Sequence, residues 1–419
     1  MRYRNIITKC SALGLYTLLF FSCKHDQGLT DLGDINAIGN NGVIKPTVDS
    51  TSFLRLNEIQ VIASHNSYRV KTDAAIFDFV QNIKSLLPSS LDPDGWDYSH
   101  LPIPEQLGDY QVRGLELDIF NDPNGGQFYN RQGNILVQKP IGSGIQELQQ
   151  PGFKMLHIPD LDYNTNYYSF KSGIQALKDW SDSHPNHIPI FVNIETKDET
   201  PASYVTSALP FPVPGLVFTQ AIPYDAAAVL AFDAEIKEVF GSGLEKVFTP
   251  DELRGTFPTL RDAAMAGNWP MLKDMRGKIV FIMEGACVDT YLGQNENLEG
   301  RVSFVYAGDI QSNYSAFVIL NNPVSDQSEI QEAVTKGFIV RTRSDSDTDE
   351  ARTGDYTNRD AAVASGAQII STDYYRPDPR SSIPGSGWTD FHVELPGGKM
   401  FRINPVVAPQ KLAWGELSE

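Results

Sequence analysis

The sequence predicts an α/β protein of the (β/α)8 TIM-barrel class, and three observations lead there. Eight short apolar or alternating runs, each bounded by turn residues, are spread between residues 59 and 372. Most are followed by polar or helical stretches, a rhythm that implies parallel strands joined by crossover helices. Charged and polar residues gather at the ends of these runs, where the loops of a barrel converge. Eight parallel units fit a closed barrel better than an open sheet, and 419 residues with 41% hydrophobic content suffice for one large core.

In chain order, residues 1–22 read as an export signal: Arg2, Arg4 and Lys9 give a basic start, and an apolar run from Ala12 to Phe21 follows. That run is too short to span a bilayer. Ser22 before Cys23 resembles the lipobox of bacterial lipoproteins, so lipidation of Cys23 and a membrane anchor are expected, with ordinary signal cleavage as the alternative. The mature chain is then expected at the periplasm or cell surface of a bacterium. Residues 23–51 are rich in Gly, Asn and Asp without periodicity and read as a flexible tether. A single catalytic domain is expected over 52–419.

The predicted strands are Ile59 to Ser64, Gly114 to Phe120, Phe153 to Ile158, Pro189 to Lys197, Lys278 to Met283, Ala316 to Leu320, Phe338 to Arg343 and Ala367 to Thr372. A long insertion, about 200–275, separates the fourth from the fifth. It opens with Pro201, Pro210, Pro212 and Pro214, contains a helical piece from Ala226 to Phe240, and leaves the catalytic face, where it is expected to shape access.

The 34 basic and 52 acidic residues give a formal charge of -18, which repels a phosphate backbone and argues against nucleic acid as partner. An anionic substrate would need a locally held cation. Cys10 lies in the signal and Cys23 at its end, so Cys287 alone remains in the folded body, read as a buried filler.

The chemistry-bearing residues stand at predicted strand ends. Ser64-His65-Asn66-Ser67 close the first, Glu116 and Asp118 sit on the second, and His157 ends the third. Glu195 and Lys197 end the fourth, and Arg341, Arg343 and Asp345 the seventh. A strand period of two puts Glu116 and Asp118 on one face, as it does Glu195 and Lys197. Burying such charges costs several kcal/mol each unless they are compensated. Glu116, Asp118, Glu195 and the Asn66 amide oxygen make an all-oxygen set suited to a hard ion such as Ca2+. That leaves His65 and His157 free for proton transfer in phosphodiester cleavage.

The blocks Ile62-Ala63-Ser64-His65-Asn66-Ser67-Tyr68, Arg113-Gly114-Leu115-Glu116-Leu117-Asp118, Met155-Leu156-His157 and Asn193-Ile194-Glu195-Thr196-Lys197 resemble phosphatidylinositol-specific phospholipase C, in its calcium-dependent bacterial and fungal branch. The tail from Val340 to Asp345 and from Ala364 to Tyr374 resembles it too. The resemblance covers roughly Asn57 to Tyr375. It implies His65 and His157 as the catalytic pair, His157 as general acid and His65 steadying the phosphate, with Asn66, Glu116, Asp118 and Glu195 holding calcium. It implies a phospholipid substrate with an inositol-type headgroup, cleaved to diacylglycerol and a cyclic inositol phosphate. Animal members present strand-five lysines to ring phosphates, whereas Ile279 to Glu284 has none, so plain phosphatidylinositol or a related glycolipid is expected.

Blander readings apply elsewhere. His184 and His187 belong to a loop, His100 is structural, and Asp347 and Asp349 form a solvated acidic loop whose Glu350 replaces the glycine an EF-hand requires. Lys197 is expected to bind substrate; Arg341 and Arg343 make either a barrel ion-pair network or a contact with substrate phosphate, and Tyr374 is a candidate to stack on an inositol ring. A monomer is expected. The rival enzyme is a glycerophosphodiester phosphodiesterase, whose His-Arg-Gly opening is absent at His65; the rival from another class is a non-catalytic lipid- or glycan-binding lipoprotein.

Overall fold

The computed structural model describes residues 50–209, 212–294 and 296–419, so the predicted signal, Cys23 and nearly all of the tether lie outside the described residues. Among the described residues ten strands follow in chain order: β1 Ile59–Ser64, β2 Gly114–Phe120, β3 Lys154–Met155, β4 Ile190–Lys197, β5 Ile279–Gly285, β6 Phe304–Ala307, β7 Phe317–Ile319, β8 Ile339–Arg343, β9 Ile369–Thr372 and β10 Phe401–Ile403. Parallel pairing runs β1-β2-β4-β5-β6-β7-β8-β9 and returns to β1, closing an eight-stranded barrel. The strands are buried on both faces and are largely apolar apart from the polar and charged residues that several carry toward the site.

The predicted third strand is a correction. Only Lys154–Met155 is extended, it pairs antiparallel with Ile119 and Phe120, and it lies outside the barrel. From Leu156 onward the chain turns, with Ile158 and Asp162 bonded to each other across the bend. The missing barrel strand is β6, Phe304–Ala307, whose four buried residues are too few to show a period.

The outer layer follows from helical spacing and caps. In the helix Phe170–Ser183, Phe170, Ile174, Leu177 and Trp180 fall on one buried stripe, and Ser169 accepts from the Ser172 N–H at the N-terminus, a cap worth about 1 kcal/mol. That helix packs on Ala226–Phe240, where Phe170 and Phe232 stack with ring centres 5.7 Å apart. The long insertion therefore divides. Its later part supplies this barrel helix, while Thr219 and Ile222 cross the catalytic end and touch Asp160 and Asn121.

Closure between β1 and β2 rests on one register pair, Ala63 with Gly114. Beyond it the strands part, because β4 takes one edge of β2 along its whole length and β3 takes the far end of the other. The loop after β1 fills the gap: Ser67 N–H donates to Glu116 O at 2.9 Å, and Glu116 N–H donates to Ser67 Oγ at 2.8 Å. A Cβ at Gly114 would stand 2.4 Å from that of Ala63. Gly114→Ala should therefore force the pair apart and cost about 1–3 kcal/mol in urea unfolding; an unchanged midpoint would show that closure does not depend on this approach.

Candidate active site

The parting of β1 from β2 brings a loop and two strands to one point. Glu116 and Asp118 project from β2 at a spacing of two, and register sets Asp118 beside Glu195 of β4 and Glu195 beside Glu284 of β5. Asn66, in the left-handed region at φ 47°, comes from the β1 loop. One oxygen of each of Glu116, Asp118 and Glu195 lies within 4.8 Å of the others. Oxygens around one calcium at about 2.4 Å stand at most about twice that apart, so the set has the right span. The Asn66 amide lies against Asp118, and with its nitrogen turned that way it donates to both carboxylate oxygens, at 3.0 and 3.2 Å. Presenting the amide oxygen to a cation takes a half-turn of the side-chain amide.

Two resident cations offset part of this charge. Arg341 donates to Glu116, to Asn321 at 2.9 Å and to Ser371 at 3.1 Å, and Lys197 pairs with Asp118. Burial works against the Glu116 carboxylate, but Arg341 and His65 outweigh it and keep it below its usual range. Asp118 lacks enough help: burial pushes it up, Lys197 opposes, and Glu195 and Glu116 push further, to about 7. Glu284 is raised to about 7 by burial, against Arg341, with Glu116 and Glu195 adding to the rise. The cluster is short of positive charge.

Both histidines stand beside it, each oriented by a buried aspartate. His65 ends β1; its Nδ1 lies 2.8 Å from Asp373 Oδ1 and its Nε2 3.6 Å from Glu116 Oε1. Burial and Arg343 pull its pKa down, but Asp373 and Glu116 prevail and leave it raised. His157 follows β3 and bonds Asp162 Oδ2 through Nδ1 at 2.7 Å. Burial lowers His157 to about 4 despite that carboxylate, so at neutral pH it is uncharged, with Nε2 free. Asp162 falls to about 2 although burial opposes, because Arg69 and His157 lie against it. Arg69, fully buried, donates to Asp162 at 2.6 Å and to the Tyr98 carbonyl at 3.0 Å. A cleft of about 540 Å3 opens beside His157, Glu195 and Lys197, with Asp198, Glu199 and Pro201 from the start of the insertion on its wall.

Of the residues expected to bind substrate, Lys197 lines the cleft but turns its ammonium to Asp118. Arg341 is 3% exposed and belongs to the barrel network, whereas Arg343, against Asp373 and His65, remains partly open. Tyr374 is a correction. Its ring is buried among Tyr98, Trp388 and Phe391 and offers no free face to a sugar ring. His100 is structural: its Nε2 bonds the His65 carbonyl at 2.7 Å and its ring stacks on Tyr375. His187 bonds Ser181 and the Ile188 carbonyl, and Cys287 is a buried filler. Asp347 is exposed on the cleft wall. The sequence reading missed Asp162, Asp373 and Glu284. Only Asp162 carried a local signal, a turn at Pro159-Asp160 that folds it back on His157.

The sequence profile of the family "Phosphoinositide phospholipase C, Ca2+-dependent" matches residues 54–405. No curated protein sequence matches the chain. Among solved structures, a calcium-dependent phosphoinositol-specific phospholipase C from Pseudomonas sp is 16% identical, with 84% of this chain and 96% of that one covered and a TM-score of 0.47. A Ca2+-dependent phosphatidylinositol-specific phospholipase C from Streptomyces antibioticus is 16% identical over 78% and 96%, TM-score 0.46. A glycerophosphoryl diester phosphodiesterase from Parabacteroides distasonis is 11% identical over 84% and 95%, TM-score 0.32. The family profile, spanning most of the chain and every residue of the oxygen cluster, identifies this phosphoric diester hydrolase as a member of the calcium-dependent phosphoinositide phospholipase C family.

Proposed function

We propose that the chain cleaves phosphatidylinositol, or a glycolipid built on it, to diacylglycerol and a cyclic inositol phosphate. One observation carries this reading: two histidines, each fixed by a buried aspartate, stand beside the oxygen cluster of Glu116, Asp118, Glu195 and Asn66. Calcium held by those four residues would lower the pKa of the inositol 2-hydroxyl, whose proton would pass to a carboxylate of the cluster as its oxygen attacks, and would draw charge from a phosphate oxygen. The cationic form of His65, favoured by Asp373 and Glu116, stabilises the charge that builds on phosphorus as the 2-hydroxyl attacks. His157 presents Nε2 to the leaving oxygen, with Nδ1 and the ring plane held by Asp162. The phosphate diester supplies the negative charge that lets Nε2 take up the proton it then delivers to diacylglycerol. Arg343, beside His65, meets a phosphate oxygen with guanidinium geometry.

The reading extends to location. The basic start, apolar run and Ser22-Cys23 support export and lipid anchoring through Cys23, which would hold the cleft close to its membrane substrate.

Three outcomes are expected. Vesicles of phosphatidylinositol should release diacylglycerol when calcium is present, and His157→Ala should cut kcat by about 10²–10⁴ while calcium binding is kept; turnover of glycerophosphoinositol alone would favour the glycerophosphodiesterase reading, and undiminished function of His157→Ala a binding protein. Because Asp118, at about 7 without metal, must shed its proton to hold a cation, calcium affinity should fall by up to about tenfold per unit as pH drops below 7. Calorimetry in buffers of different ionisation enthalpy reads the released proton, and an affinity flat from about pH 8 to pH 6 would remove Asp118 from the ligand set. Cys23→Ala expressed in a bacterial host should move the chain from the membrane to the soluble fraction; retention in the membrane would rule out that anchor.

A further inference from the structure

The two cations on the carboxylate cluster are held differently. Arg341 is gripped by Glu116, Asn321 and Ser371 and is almost wholly buried. Lys197 reaches the cluster from the end of β4 on a flexible stem, with its side chain 21% exposed on the cleft wall. Its Nζ pairs with Asp118 Oδ2 and lies 3.5 Å from Glu195 Oε2. Those are two of the three carboxylates whose oxygens lie within 4.8 Å of one another. An ammonium touching them and a divalent ion among them are like charges a few ångströms apart. They repel each other, and the competition favours the ion, with twice the charge and more oxygens to bind.

We infer that Lys197 is a resident counter-ion which metal binding displaces from Asp118 into the cleft, where the freed ammonium takes up the anionic group of the substrate. The inference rests on the calcium-binding reading of the cluster and adds a coupling to it. Without metal, the ammonium is spent on Asp118 and offers little to an incoming phosphate. With metal, the same side chain has lost its partner and gains one only from the substrate. Metal and anion therefore bind more tightly together than apart, and the coupling is reciprocal. Arg341, with nowhere open to move, stays on Glu116 throughout.

The test is calorimetric titration of calcium into the metal-free full chain, with and without glycerol 2-phosphate as the anionic probe. At a pH high enough to ionise Asp118 in both proteins, Lys197→Met should bind calcium about tenfold more tightly than the wild type without the probe, since no ammonium has to be displaced, and should lose most of the probe's effect on calcium affinity. Lys197→Arg should restore the competition. Equal or weaker calcium binding by Lys197→Met, or an undiminished probe effect, overturns the exchange. A second readout needs no variant: calcium should raise the reactivity of Lys197 toward an amine-acylating reagent severalfold, followed by peptide mass spectrometry, and protection by calcium overturns the proposal. Neither readout uses a lipid. Exchange without diacylglycerol release would sink the lipid reading alone, and release without exchange would sink only this role of Lys197.

Discussion

Carboxylates gathered in a place where water screens them only in part are the constraint around which this molecule is organised. Asp118, Glu195 and Glu284 lie level on adjacent strands, with Glu116 two residues lower on β2. In bulk water such a row costs little, but at a barrel mouth each group loses hydration and feels its neighbours. Arg341 and Lys197 neutralise part of the charge, and the raised positions of Asp118 and Glu284 show the remainder. A divalent ion is the simplest completion, and the oxygen span of the cluster suits one.

The second constraint is topological. A barrel in which β1 and β2 paired along their length would have no room for Asn66 and Ser67 beside Glu116. The two strands instead share one close approach, at Ala63 and Gly114, and then separate. β3 occupies the far edge of β2 and delivers His157 to the cleft from outside the barrel. The same divergence thus admits both histidines, and Arg69 and His100 brace the two sides through Asp162 and the His65 carbonyl. The electrostatic environments of the histidines then differ: His65 lies between two carboxylates, whereas His157 lies against one carboxylate and near Lys197.

Much of this was legible in the sequence. The strand ends bearing His65, Glu116, Asp118 and Glu195 could be read because a period of two and a run of branched apolar residues are local properties. His157 was singled out for a reason only partly right, since it follows a short antiparallel strand rather than ending a barrel strand. β6 escaped because Phe304–Ala307 is shorter than any period that would reveal it. Tyr374 was expected to face a ligand because it follows a strand end, yet its aromatic neighbours Tyr98, Trp388 and Phe391 come from segments distant in the chain.

The sequence by itself determined the barrel class, the clustered carboxylates Glu116, Asp118 and Glu195 and the two histidines beside them, because these depend on residue type and spacing along one strand or loop. Tertiary structure alone decided their partners. Asp373 meets His65 across 308 positions and Arg341 meets Glu116 across 225, contacts created by barrel closure. Which basic side chain is locked in a network and which can be exchanged is likewise a matter of packing. Arg341 is enclosed on every side and Lys197 borders open space, although both stand near strand ends and carry the same charge.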